Sequence, residues 1–218
     1  PTSQMAKPEI LGGIYRIRRD SMTPQVDPWG KRIAWETLTD AEVIKHLNDT
    51  RHQVRRRAIA ECARRHDSII PALARSMRSD IRVRRNAIWA LTRILGNHGS
   101  LRSAHAAIRS ALDDRDAGIR QTACRSIATY PDAEAAERLM TMVIHDQPAV
   151  RCEAAKALGR IGNTNVARTL IEALAIHPEM DRTEEHALAY ALIEINDLKT
   201  LQAGLRHTSP RVRRVCLT

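Results

Sequence analysis

Arginine is the residue whose placement in this chain most invites chemistry. Val54-Arg55, Val83-Arg84, Ile119-Arg120 and Val150-Arg151 repeat one phrase, an aliphatic residue followed by Arg. Ala58, Ala87, Ala123 and Ala154 stand four positions after each aliphatic. A partial copy begins at Val212-Arg213, and Arg56, Arg85 and Arg214 add a second guanidinium beside the first. A guanidinium is permanently charged and presents a planar fork of donors that fits carboxylate and phosphate oxygens. A row of them at one point of successive helices has two uses. It can form a basic surface for phosphate or carboxylate groups. Alternatively, each Arg can bond an inter-helix Asp or the exposed carbonyls of a neighbouring repeat. Asp49, Asp80, Asp114 and Asp146 recur close to the phrase, which favours the internal use for Arg55, Arg84, Arg120, Arg151 and Arg213. Arg56, Arg85 and Arg214 are then the freer surface candidates.

Other reactive residues carry less. Glu184-Glu185 interrupts the ladder beside the Ile176–Arg182 loop, which holds His177 and Pro178. Such a change of sign marks either a specific contact or ordinary drift of a repeat. The histidines show no His-Glu-x-x-His or paired spacing: His46 and His52 flank a turn, and His105, His145 and His207 fall at helix ends. They read as solvated or capping groups rather than metal ligands. Cys62, Cys124, Cys152 and Cys216 are scattered singly, without a Cys-x-x-Cys pair, and read as small buried hydrophobes. Trp89 lies between Ile88 and Ala90, which favours packing over base stacking. No Ser-His-Asp or Cys-His arrangement, Gly-rich phosphate loop or paired-carboxylate motif is present, and Gly12-Gly13 reads as a strand glycine pair. No catalytic, cofactor-binding or metal residue is expected in these 218 residues.

The elements that must position the arginines follow from the period. The aliphatic-Arg phrases recur at about 30 residues, and Val150 to Val212 spans two such intervals. The copy between them is disguised: Ala155 to Gly162 aligns with Ala189 to Asn196, which puts Glu184-Glu185 where Val-Arg should stand. Val83, Ala87, Leu91 and Ile94 share one helical stripe, as do Val150, Ala154, Leu158 and Ile161. A second amphipathic helix precedes each, marked by Val43, Ile44, Leu47; by Ile70, Leu73, Ala74; by Leu101, Ala104, Ile108, Leu112; by Leu139, Met140, Val143; and by Val166, Leu170, Ile171, Leu174. Thr39-Asp40-Ala41-Glu42 predicts a capping box. Ser209-Pro210 and Pro148 predict helix starts, and Gly96 and Gly162 helix stops. A two-helix unit cannot bury its stripe alone, so neighbours must stack. The expectation is an all-α, right-handed α-solenoid of five helix pairs and the beginning of a sixth.

Composition agrees. Apolar residues make up 43% of the chain, yet aromatics only 3% and Phe is absent. Ala, Leu, Ile and Val suit thin layers of closely packed helices. The formal charge is +10 with a pI of 10.2, which attracts nucleic acid, anionic lipid or acidic protein. No run of about 18 apolar residues exists, so no membrane-inserted helix is expected. Pro1 to Lys7 is polar and starts no signal peptide.

The Asp-x-x-x-Val-Arg-x-x-Ala-like phrases, covering residues 38–218, resemble HEAT repeats, in particular the short bacterial kind also found in phycobilisome-lyase-type proteins. The resemblance implies a scaffold, receptor or linker whose second helices line a concave face, so that the arginines would form a basic groove. A weaker likeness to HEAT-like DNA glycosylases, which use aromatic and acidic residues on such a face, finds Trp89 but no matching catalytic Asp.

Residues 10–19, Ile-Leu-Gly-Gly-Ile-Tyr-Arg-Ile-Arg-Arg, read as a short strand, followed by a turn-rich linker from Met22 to Lys31. Residues 7–19 with Asp27-Pro28-Trp29-Gly30 resemble the end of the β-propeller in the membrane-bound dehydrogenase proteins of planctomycete-like bacteria. There a propeller like that of soluble quinoprotein glucose dehydrogenase precedes HEAT repeats and often a cytochrome c-type domain. The expected division is an extension or linker, 1–35, which the resemblance makes the end of an upstream propeller, and a repeat domain, 36–218, expected to be truncated because Thr218 falls one or two turns into a repeat's second helix. The resemblance implies a spacer in an exported parent carrying haem c and a quinone or other propeller-bound cofactor, none of it held by residues here. Expected partners are neighbouring domains of the same polypeptide or another protein, with nucleic acid or an acidic protein as the alternatives on the basic face.

Overall fold

A computed structural model describes residues 25–99 and 101–217; the strand expected at residues 10–19 lies outside them. The described residues are all-α. The helices are α1 (Asp40–His46), α2 (His52–Arg64), α3 (Ile70–Ser76), α4 (Ile81–His98), α5 (Arg102–Ser110) and α6 (Ala117–Thr129). They continue as α7 (Ala136–His145), α8 (Pro148–Ile161), α9 (Ala167–Ile176), α10 (Arg182–Ile195), α11 (Leu198–Gly204) and α12 (Pro210–Val215). These are five full helix pairs and a shorter sixth. The even helices α2, α4, α6, α8 and α10 stack consecutively in one layer; α1, α3 and α5, and again α7 and α9, stack in the other.

The stack exists because each pair leaves an apolar stripe for the next. Val54, Ala58, Leu91, Ile119, Ala123, Ala154 and Leu158 are fully buried, and one apolar cluster runs from Val43 to Val215. Each fully buried aliphatic side chain contributes about 1.5–3 kcal/mol. Ala74, placed on a buried stripe by its spacing, is exposed instead, while Ile161 is half-buried at the end of α8. Small residues set the layer spacing where expected. A Cβ built on Gly159 would lie 2.9 Å from Ala191 Cα, so α8 and α10 meet nearly backbone to backbone.

Punctuation follows the sequence with two corrections. Thr39 and Glu42 form the reciprocal capping box, the Glu42 N–H donating to Thr39 Oγ1 at 3.3 Å and the Thr39 N–H to Glu42 Oε2 at 2.7 Å. Gly162 (φ 70°) and Asn196 (φ 51°) close α8 and α10 in the left-handed region, as the alignment of the disguised repeat requires. Gly96, however, does not end α4. That helix continues to His98 and stops at Gly99 (φ 77°), and Gly96 instead leaves room for the Tyr130 hydroxyl, which a Cβ there would strike. Ser209 occupies the N-cap position of α12, but its side chain caps nothing. Its N–H donates to His207 Nδ1 at 3.0 Å.

The linker expected up to Lys31 is anchored from Asp27 onward. Asp27 O accepts from Arg51 Nη1 (3.1 Å), Gly30 O from Arg57 Nη1 (2.8 Å) and Leu38 O from Arg65 Nη2 (2.6 Å). Gly30 is buried with φ 62°, and a Cβ on it would sit 2.9 Å from Val54 Cγ2. Three arginines of the first repeat thus fix the incoming chain.

Candidate interaction face

The ladder arginines sit at the starts of the even helices because each follows the aliphatic that locks its helix into the core. From there the side chain reaches back over the preceding loop. Arg55 Nη1 donates to Asp49 O (2.8 Å) and Thr50 O (3.0 Å), Arg120 Nη1 to Asp114 O (2.8 Å), Arg151 Nη1 to Asp146 O (3.1 Å), and Arg213 Nη1 to His207 O and Thr208 O (both 2.8 Å). Loop carbonyls that no backbone N–H serves are thereby satisfied.

Three of these arginines also reach one repeat forward. Arg84 Nε lies 3.3 Å from Asp114 Oδ2. Arg120 makes a two-pronged contact with Asp146, Nε to Oδ2 at 2.7 Å and Nη2 to Oδ1 at 2.5 Å. Arg151 makes the same fork with Glu184, through Nε and through Nη2 at 3.0 Å. This last pair is the most buried, with side chains 7% and 3% exposed. Glu184, at the position the other repeats fill with Val or Ile, is buried and turned back to meet Arg151. Glu185 takes the next repeat instead, accepting from Arg214 Nη2 at 2.7 Å and lying 3.3 Å from Arg211 Nε. The break in the ladder is a pair of inter-repeat contacts.

What the ladder leaves outside is a surface read from the same register. Counting from the buried aliphatic, the second, sixth and tenth positions of each even helix face outward. The second positions are Arg56, Arg85, Gln121, Cys152, His186 and Arg214. The sixth are Ala60, Trp89, Arg125, Lys156 and Tyr190, and the tenth Arg64, Arg93, Thr129, Arg160 and Glu194. Glu194 is the one acidic residue in these columns. Arg56, Arg85, Arg93 and Arg125 are exposed and have no side-chain partner among the described residues. Arg64 is held by Glu61, Lys156 by Glu153 and Arg160 by Glu194, and Arg214 by Glu185. Of the flanking arginines singled out by sequence, Arg56 and Arg85 are free and Arg214 is paired. Arg93 and Arg125 were missed; two steps of four residues from Arg85 along α4, and one such step from Gln121 along α6, are the signal that finds them.

Trp89 stands between Arg85 and Arg93 on one stripe of α4 and is half-buried. At the other end of the face an open cleft of about 420 Å³ lies between α8 and α10, lined by Lys156, Arg160, His186, Tyr190 and Glu194 among others. Tyr190 is about half exposed there. Among the described residues no cluster of His, Cys, Asp and Glu is placed to hold a metal ion, and no helix is long and apolar enough to cross a membrane. His105 is buried at 6% exposure, its Nδ1 3.7 Å from Asp132 Oδ2. Cys62 and Cys124 are buried as expected, whereas Cys152 and Cys216 are only half-buried.

Comparison with known proteins agrees with this geometry. The HEAT-repeat family matches residues 105–193. The solved complex of CpcE and CpcF of phycocyanin lyase from Nostoc sp. is similar with a TM-score of 0.55 and 21% identity, covering 94% of this chain and 80% of that one. An engineered protein gives a TM-score of 0.46 at 20% identity, over 83% of this chain and 96% of that one. A designed armadillo repeat protein in complex with the peptide (KR)4 gives 0.46 at 15% identity, over 81% and 95%. No curated protein matches the chain in sequence. Repeat period, two-layer stacking and the HEAT-repeat match over residues 105–193 converge on one architecture: an all-α solenoid of stacked helix pairs.

Proposed function

We propose that the chain is a non-catalytic scaffold, a HEAT-type module that holds other protein elements at fixed positions along a stiff rod. The observation that carries this is the fate of the ladder. The most repeated charged groups lie inside the joints, tying loop carbonyls to the carboxylate of the next repeat. Their chemistry is structural, so the outward columns are what the fold presents to a partner.

The finer reading is a spacer in a larger exported propeller–haem oxidoreductase, with haem c and a propeller-bound cofactor held by other domains. It is supported by the N-terminal resemblance and by the anchoring of residues 27–38, which couples whatever precedes the repeats firmly to them. The CpcE–CpcF neighbour is itself a complex of two proteins, in keeping with protein partners here.

The test is site-specific photo-crosslinking in the full-length protein, with the reactive residue at Arg93 on the even layer and, separately, at Arg168 on α9. Crosslinks from Arg93 to a defined segment of a neighbouring domain or of a second protein are expected. A full-length protein that gives none from either position would refute the scaffold reading.

A further inference from the structure

We infer that the even-helix face docks an acidic, extended polypeptide segment whose acidic half lies over α2, α4 and α6 and whose apolar end enters the cleft between α8 and α10. The inference rests on the scaffold reading and names the partner's chemistry.

Charge complementarity carries the first half. α4 and α6 contain no Asp or Glu at all, and Arg56, Arg85, Arg93 and Arg125 point outward without partners. Such a field over three adjacent helices attracts and orients carboxylates. The change of character along the face carries the second half. From α8 onward the cations are engaged by Glu153 and Glu194, and exposed Tyr190 takes over, with Ala128 and Ala187 beside it in the cleft. A sugar-phosphate backbone is uniformly anionic and matches only half of this surface. A polypeptide can change from acidic to apolar within a few residues.

Geometry sets the length. Packed helices are about 10 Å apart, so α2 to α6 spans about 20 Å, and α10 lies as far again. At about 3.3 Å per residue the acidic half needs roughly six residues and the whole segment roughly twelve. Trp89, between Arg85 and Arg93, gives the segment's aliphatic stems an apolar floor.

The experiment is fluorescence anisotropy at ~50 mM salt, where screening is weak. The probes are a labelled twelve-residue peptide, Glu-rich at one end and Leu-rich at the other, in both orientations; an all-acidic peptide; and a single-stranded DNA of similar charge. One orientation of the mixed peptide should bind most tightly. The double substitution Arg85→Glu/Arg125→Glu should weaken it at least ~10-fold, with the fold verified by circular dichroism. Arg168→Glu/Lys199→Glu, an equal charge change on the other layer, should alter it less than ~2-fold. Tyr190→Ala should weaken the mixed peptide and leave the all-acidic one unchanged. Failure of both peptides to bind, tighter binding of DNA, or equal losses from the two double substitutions would each overturn the inference. If Arg93 still crosslinks in the full-length protein while these peptides fail, the acidic partner is refuted and the scaffold stands. Loss of both refutes both.

Discussion

Glu184→Gln tests the internal use of the ladder most sharply. The substitution keeps the shape of the side chain and removes its charge, leaving Arg151 buried beside a neutral partner. Both side chains are under 10% exposed, so the Arg151 charge keeps little water. Breaking one partner of a buried pair costs about 3–5 kcal/mol. Glu179, 3.7 Å from Arg151 Nη2 but largely exposed, recovers part of this, and about 3 kcal/mol is expected. For a chain of this length that is a fall in Tm of roughly 6–12 °C. The companion variant Arg151→Met/Glu184→Val restores the aliphatic that the equivalent position carries in the other repeats. It loses mainly the Arg151 bond to Asp146 O, about 1 kcal/mol. The double variant should therefore be more stable than Glu184→Gln. Because a solenoid can open locally, the melt should be paired with hydrogen exchange resolved on α8 and α10. A Glu184→Gln cost below about 1 kcal/mol, or a double variant less stable than Glu184→Gln, would refute the reasoning.

Gly159→Ala should destabilise by about 1–3 kcal/mol despite the better helix propensity of Ala, because the new methyl meets the backbone of Ala191; denaturant midpoints check this, and a stabilised variant would contradict it. Stability should also depend on acid. Asp49 is held well below its ordinary value chiefly by the Arg51 hydrogen bond, and Glu61 is lowered chiefly by Arg64. Burial alone would raise Asp146, but Arg120 and the Gln147 N–H hold it down. Carboxylates lowered in the folded state contribute stability that is present above their unfolded values, near 4, and is lost as pH falls through the folded ones. The guanidinium midpoint should stay level from about pH 7 to 5 and drop below about pH 4; a midpoint unchanged into stronger acid would show these contacts to be idle. Burial pushes the Cys62 thiol up to about 12 and Cys124 higher still. A thiol reagent near neutral pH should label Cys152 and Cys216 on the folded chain, and Cys62 and Cys124 only on unfolding, as peptide mass spectrometry would show.

Architecture was legible because it rests on period. The aliphatic-Arg-x-x-Ala phrase fixes a buried stripe, and the stripe fixes which helices stack, so even the disguised repeat fell into register through Asn196. The joints were less legible. The distance from Asp to the following aliphatic varies from repeat to repeat because the carboxylates have different partners: Asp49 holds Arg51 of its own repeat, while Asp114 and Asp146 answer the ladder arginine of the preceding one. Asp114 lies 3.3 Å from Arg84 Nε and Asp146 accepts from Arg120, whereas Asp80, in the same relation to Arg55, accepts from Asn48 Nδ2 at 3.3 Å. Gly96 misled for a similar reason. A glycine near a helix end reads as a stop, but the space it leaves belongs to Tyr130, one repeat away. The outward columns were half visible: Arg56 and Arg85 are adjacent to the phrase, while Arg93 and Arg125 appear only once the helices are known to run their full length.

The forward-reaching arginines have a mechanical consequence. Charged clasps close the joints from the second repeat to the fifth, through Arg84–Asp114, Arg120–Asp146 and Arg151–Glu184. The first joint is closed by neutral or singly charged contacts such as Asn86 Nδ2 to Leu47 O at 2.7 Å. Under tension along its axis the rod should shed its first repeat before its middle parts. A force-extension trace should then show one early, low-force step followed by a cooperative rupture of the clasped segment.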